Sequence, residues 1–234
     1  MRCHVSLVRE ADGVVAHCAE YPECRERGAT RAEALARFER GLTARPDDPD
    51  LLEMAARCHL NQARFDAALA SIAALERKQG ANPLVWNYRG AAYLGKQDTV
   101  RARDSFEQAL KLDPKFFPAA ANLAQLDLKN NQPAVAKTRF ESILKADPKQ
   151  PQAMLALANL ALSNRDEKTY LSWLQKAIDA NPQTLTPRLL LSRYWLAKGN
   201  SAKAVAAALE AVNIQPNNPA ALDLLATAQL ASKD

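Results

Sequence analysis

No run of about 18 consecutive apolar residues occurs in this chain of 234 residues, so a membrane-spanning helix is not expected. The opening stretch MRCHVSLVRE carries a charge every few positions and has no secretory apolar core, which predicts a cytoplasmic chain. Cysteine is scarce: Cys3, Cys18, Cys24 and Cys58 are too few for a disulfide-built scaffold, and a reducing compartment would keep them as thiols. Glycine is scarce too, at 7 residues. Neither a phosphate-cradling loop, a dinucleotide fingerprint nor a G-x-S-x-G elbow is present, so the chain is expected not to be an enzyme and to have no catalytic residue and no cofactor. Lysine is missing from residues 1–77, which hold eleven Arg, and all 13 Lys lie from Lys78 onward. The net charge of +5 is therefore uneven. Residues 1–78 carry 12 Lys+Arg against 13 Asp+Glu and residues 79–234 carry 19 against 13, so an anionic partner would favour the C-terminal two thirds.

What the chain does have is a period. Pro114, Pro148, Pro182 and Pro216 lie 34 residues apart, in the settings KLDP, KADP, DANP and NIQP. The same step links Leu60, Leu94, Leu128, Leu162, Leu196 and Leu230, and the small residues Ala56, Gly90, Ala124, Ala158, Ser192 and Ala226. The units are 49–82, 83–116, 117–150, 151–184 and 185–218, five in all, with a half unit at 219–234. Within 83–116, Trp86, Tyr93 and Leu94 flank Gly90, KQD interrupts, and Ala102, Phe106, Ala109 and Leu110 then share one helical face. Each unit thus reads as two helices whose close approach requires small residues at Gly90 and Ala102. Pro114 ends the second helix and turns the chain into the next unit. A single hairpin leaves its apolar face wet, and stacking buries it.

The pattern resembles the tetratricopeptide repeat, a 34-residue helical hairpin, which unit 83–116 matches at Trp86, Gly90, Tyr93, Ala102, Phe106, Ala109 and Pro114. The resemblance covers about 49–234 and implies a mainly α fold, an α-solenoid wound as a right-handed superhelix, with at least ten helices. Three residues depart from the pattern: Arg89 stands where Leu is usual, Tyr170 where Ala is usual, and Arg188 where Trp is usual. The wording NPLVWNYRGAAYLGK, SFEQALKLDPKFFPAAANLAQLDL and PAALDLLATAQLA is further similar to the repeat lipoproteins of bacterial exosortase and PEP-CTERM exopolysaccharide systems. That narrower resemblance implies a periplasmic or outer-membrane-associated setting.

The N-terminal segment reads differently. RCHVSLV and VVAHCA flank an Ala11-Asp12-Gly13 turn as a β-hairpin, and CRER could add a short strand. Thr30 and Glu33 form a capping box that starts a helix over 31–42, with Ala34, Leu35, Phe38 and Leu42 on one face. Residues 1–44 resemble the β-β-β-α HicB-like domain of certain antitoxins, so a small α+β segment is expected before the repeats. His17, Cys18 and Cys24 raise a metal question. However, five residues separate Cys18 from Cys24, and adjacent pairs such as Cys3/His4 and His17/Cys18 point to opposite faces of a strand. No metal site is assigned, and the cysteines are expected to be buried as small apolar residues.

In a tetratricopeptide array the first helices line a concave groove, and positions five, six and nine of each unit tend to face it. Here these include Glu53, Arg57, Asn87, Asn122, Gln125, Asn159 and Arg193, which suit the donors and acceptors of an extended peptide. The clamp by which chaperone-tail receptors of this family hold a C-terminal carboxylate is absent, since its positions read Asn87/Ala91, Asn122 and Gln152/Ala156. The leucine column is read as packing between units. In 219–234, Leu222, Leu225, Ala226 and Gln229 are read as the inward stripe, with Leu224, Ala228 and Leu230 as outward apolar surface for self-association. The sequence thus predicts a non-enzymatic scaffold that binds a protein or peptide, with no small-molecule substrate, and nucleic acid is not an expected partner. The alternative is a HicB-like antitoxin or regulator whose repeats mediate assembly. A third reading is a chimeric reading frame, suggested by the Arg-to-Lys shift at Lys78.

Overall fold

The computed structural model describes residues 48–232 with their side chains and, before them, the backbone of three short strands. β1 (Val5–Glu10) pairs antiparallel with β2 (Gly13–Cys18), and β2 pairs antiparallel with β3 (Glu26–Gly28). The expected helix at 31–42, its capping box, and the side chains of Cys3, His4, His17, Cys18 and Cys24 lie outside the described residues. From Pro49 onward the described chain is helical, and it divides into two bodies between Leu112 and Asp113.

The first body holds α1 (Pro49–Asn61), α2 (Phe65–Gln79), α3 (Pro83–Gly95) and α4 (Thr99–Leu112). Here α1 lies against α2 and α3 against α4 as hairpins, while α2 and α1 also touch α3. The second body holds α5 (Phe117–Lys129), α6 (Pro133–Ala146), α7 (Pro151–Ser163), α8 (Glu167–Ala180), α9 (Thr186–Ala197), α10 (Ser201–Ile214) and α11 (Pro219–Leu230). Hairpins α5–α6, α7–α8 and α9–α10 follow one another, and α11 lies on α9 and α10.

Short polar residues or proline start most of these helices, the exception being α2, whose N-cap Arg64 makes no capping hydrogen bond. The carboxylate of Asp48 accepts from the amides of Asp50 and Leu51, and the side chains of Asn82 and Asn218 accept from Val85 and Ala221. Proline in the first helical turn, as at Pro49, Pro83 and Pro219, has no amide proton to leave orphaned. The first helix of every hairpin ends in one way. The amides of Ala63, Gln97, Asn131, Arg165 and Gly199 donate to the carbonyls of Leu60, Leu94, Leu128, Leu162 and Leu196 at 2.9–3.1 Å. All five residues have positive φ, between 57° and 70°, yet only one of them is glycine. Left-handed backbone is unfavourable for residues with a Cβ. Replacing the exposed Gln97 and Arg165 by glycine is therefore expected to raise stability by about 0.5 kcal/mol or more per site. Urea titration checks this, and a lowered midpoint would argue against strain at these turns.

The core runs through the hairpins. Leu52 and Ala56 of α1, Ala68, Ile72 and Leu75 of α2, and Val85 and Ala92 of α3 form one cluster. Ala124, Ala136, Phe140 and Leu157 form another, and Ala158, Ala161, Tyr170 and Leu174 a third. The small column is buried at Ala56, Gly90, Ala124, Ala158 and Ser192, where helices cross. A Cβ built on Gly90 would sit 2.5 Å from the Phe106 ring.

The three departures from the repeat pattern each have their own partners. Arg89 lies over the Trp86 ring at 4.5 Å and is paired with Glu76. Tyr170 is buried with its ring centroid 5.3 Å from that of Tyr194, and Leu174 stands where other hairpins have Phe106 and Phe140. Arg188 is 8% exposed and donates to Glu210 at 3.1 Å and to the Thr184 carbonyl at 2.9 Å.

Two expectations are corrected. The leucine column is packing only in part: Leu60 packs against the first cluster, and Leu94 and Leu196 are half-buried like it, whereas Leu128 and Leu162 are 43% and 42% exposed. On α11 the inward face is Ala221, Leu224 and Ala228, all buried, whereas Leu222, Ala226, Gln229 and Leu230 are exposed. The reason is positional. Ala221 lies four periods after Val85, which meets the preceding hairpin, so this face is the one that α9 and α10 cover.

Candidate functional site

In the first body, Glu53 and Arg57 stand one turn apart on α1, 3.7 Å from each other. Tyr88 on α3 donates its hydroxyl to Glu53 at 3.0 Å, tying the two first helices together. Asn87 is 9% exposed and thus belongs to the packed interior more than to a contact surface. This part of the expected site is already engaged within the protein.

In the second body the arrangement is open. Gln125 on α5, Asn159 on α7 and Arg193 on α9 occupy the ninth position of successive units, and all three are exposed. Asn122 is half-buried on α5, one turn before Gln125. Three residues after each ladder position comes the leucine column, Leu128, Leu162 and Leu196, and residues three apart share a helix face. A row of amide and guanidinium groups thus runs beside a row of leucines, of which Leu128 and Leu162 are substantially exposed. Sequence reasoning named the polar row and missed the apolar one. Its signal was the three-residue offset from position nine, which the regularity of the column concealed by suggesting packing.

Near the end of α9 the charges are internally balanced. Glu167 accepts the Tyr194 hydroxyl at 2.8 Å and is also paired with Lys198. The Lys198 ammonium, and then the Tyr194 hydroxyl, hold the Glu167 carboxyl below its usual range, and the carboxylate in turn pushes the Tyr194 hydroxyl up.

A cavity of about 440 Å³ opens between α2, α3 and α4. Leu69 and Ala73 line it on one side, with Trp86, Arg89, Tyr93, Arg101, Asp104 and Ser105 around it. Arg89 is paired with Glu76 and Arg101 with Asp98, and the two guanidiniums cover the Trp86 and Tyr93 rings. Both cations are thus paired with carboxylates, while Asp104 on the rim meets the Gln108 side-chain amide at 3.5 Å. Among the described residues no group of three or more His, Cys, Asp or Glu could hold a metal ion, and no helix is long and apolar enough to cross a membrane.

The model of the tetratricopeptide repeat family matches residues 30–91 and 93–160. Its first match opens within the segment 1–44 that the sequence set apart. No curated protein matches the chain in sequence. Among solved structures, a tetratricopeptide repeat protein from Parabacteroides merdae ATCC 43184 superimposes with a TM-score of 0.58 at 18% identity, over 85% of this chain and 77% of that one. Pseudomonas aeruginosa PilF gives 0.52 at 19% identity, over 84% and 89%. MamA from Desulfovibrio magneticus RS-1 gives 0.50 at 20% identity, over 73% and 97%. At these identities the likeness is one of fold. With more than half of its residues matched by the family model, the chain belongs to the tetratricopeptide repeat family.

Proposed function

We propose that the protein is a non-enzymatic scaffold that binds an extended segment of a protein partner along the first-helix face of its second body. One observation carries this reading: Gln125, Asn159 and Arg193 repeat at one position on successive first helices, exposed, beside the exposed Leu128 and Leu162. An extended peptide presents backbone donors and acceptors together with alternating side chains. Amide and guanidinium groups meet the first, and leucines meet apolar members of the second. Glu53, Arg57, Asn87 and Asn122 belong to the same reading in a secondary role, since they are buried, half-buried or already engaged. The resemblance of the repeats to exosortase-associated proteins makes an exopolysaccharide or protein-sorting assembly the first setting in which to seek the partner. The exposed face of α11 supplies a separate surface, suited to another helix.

A displayed library of random peptides, selected on the chain, tests the reading. Enriched peptides are expected to lose about tenfold or more in affinity for a Gln125→Ala, Asn159→Ala, Arg193→Ala triple variant, the equivalent of about 1.4 kcal/mol. Peptides that bind this variant as tightly as the wild type would place the binding surface elsewhere.

A further inference from the structure

The hollow between α2, α3 and α4 corresponds to places that the later units fill from within. Position 23 of the unit, on the second helix, decides what stands there. In the third unit it is Arg139, paired with Asp127, and in the fourth it is Trp173. Trp173 packs against the cluster of Leu157 and against that of Ala161, the residues two periods after Arg89 and Tyr93. The Lys176 ammonium lies 4.2 Å from the centre of its ring. In the second unit position 23 is Ser105, which is buried and donates its hydroxyl to the Arg101 carbonyl of its own helix at 2.7 Å. So short a side chain does not reach across the hairpin. Tyr93, larger than its counterpart Ala161, forms a wall, and about 440 Å³ stays open, within the range of sites that hold small molecules.

The walls of this hollow suit a ring. Leu69 and Ala73 of α2 offer an apolar side, and Trp86 and Tyr93 of α3 offer two aromatic ones. The Arg89 and Arg101 guanidiniums cover those rings at 4.5 and 4.6 Å. Their carboxylate partners, Glu76 and Asp98, accept from N–H groups that lie in the guanidinium plane, so ion pairing leaves the faces to stacking. A guanidinium stacked on one ring has a second face for another. At the rim the Asp104 carboxylate is exposed, and its contact with the Gln108 amide, at 3.5 Å, is at the outer limit of a hydrogen bond. A stronger donor displaces it.

We propose that the hollow takes the indole of a tryptophan from a partner protein. The ring lies against Leu69 and Ala73 with its faces toward the guanidiniums, and its N–H donates to Asp104. A cationic side chain is opposed by the two arginines, and an anionic one meets cations already paired. A free amino acid brings a carboxylate of its own and fails for the same reason, whereas a tryptophan within a chain brings none. Trp173 is the same solution supplied by this molecule to itself, an indole between helices with a cation on its face. The hollow belongs to the first body and the Gln125–Asn159–Arg193 ladder to the second, and what the ladder binds has no bearing on it.

Fluorine NMR of the chain labelled with 5-fluorotryptophan tests this, because the three tryptophans, Trp86, Trp173 and Trp195, give three resonances. The probe is N-acetyl-tryptophanamide. The Trp86 resonance is expected to shift saturably while the other two stay in place. Ser105→Trp supplies the indole from within, as in the fourth unit, and is expected to keep its helicity and weaken the probe at least tenfold. Ala73→Phe, at the exposed mouth, serves instead should Ser105→Trp lose helicity. Asp104→Ala is expected to weaken the probe severalfold. A Trp86 resonance that does not move overturns the proposal, as do equal shifts from N-acetyl-leucinamide or undiminished binding to the folded variants. Free tryptophan binding more tightly than the amide overturns a partner protein as the source of the indole.

Discussion

Asp127→Ala is expected to destabilise the second body by about 3 kcal/mol or more, read as a fall in the denaturant midpoint. Asp127 is 1% exposed, on α5, and is paired across the hairpin with the Arg139 guanidinium of α6, whose side chain is 20% exposed. Removing the carboxylate leaves a cation between two packed helices without its partner. The cost is that of an uncompensated, largely desolvated charge rather than the net value of one ion pair. The double variant Asp127→Leu with Arg139→Leu separates these effects, because it removes both charges and fills the space with apolar atoms. Its stability is expected to lie much nearer the wild type, within about 1.5 kcal/mol. A single variant no less stable than the double would show that Arg139 swings to solvent at little cost.

Gly90→Leu should cost about 1–3 kcal/mol by overpacking. Phe106 is fully buried, and even a Cβ at position 90 would lie 2.5 Å from its ring, well inside van der Waals contact. The ring is held between α3 and α4, so the new side chain must push the helices apart or force Phe106 off its rotamer. Adding Phe106→Ala to Gly90→Leu restores volume and should recover part of the loss, whereas Phe106→Ala alone empties the site and costs about 3 kcal/mol or more. Losses that simply add in the double variant would mean that the two residues do not share one space.

The period, the hairpins and the small residues at helix crossings were legible in the sequence because each is set by local spacing: Pro114 and its equivalents, Gly90 and its equivalents, and the apolar faces between them. What escaped was decided across helices. Arg188 and Asp127 look like surface charges, and only their partners, Glu210 and Arg139 on the following helix, explain their burial. The face of α11 was misjudged because a twelve-residue helix with apolar residues nearly all round offers no polar stripe to orient it. As for the candidate site, the polar ladder could be read from position nine alone. That Asn87 is interior and that Leu128 and Leu162 are exposed depends on how neighbouring helices cover them.

The contacts that close the hairpins differ from one unit to the next. His59 meets Ser71 with nitrogen and oxygen 3.2 Å apart, Tyr93 and Ser105 line one hollow, Asp127 pairs with Arg139, and Ala161 shares a cluster with Trp173. A chain built of near-copies can collapse with the wrong partners as readily as with the right ones, since the apolar columns are interchangeable. These pairs are not. Docking α5 on α8 would bury Asp127 against an indole, and docking α7 on α6 would set Arg139 against a methyl group. The variation between units therefore works as a set of unlike keys, by which a nascent chain of look-alike helices rejects mismatched hairpins.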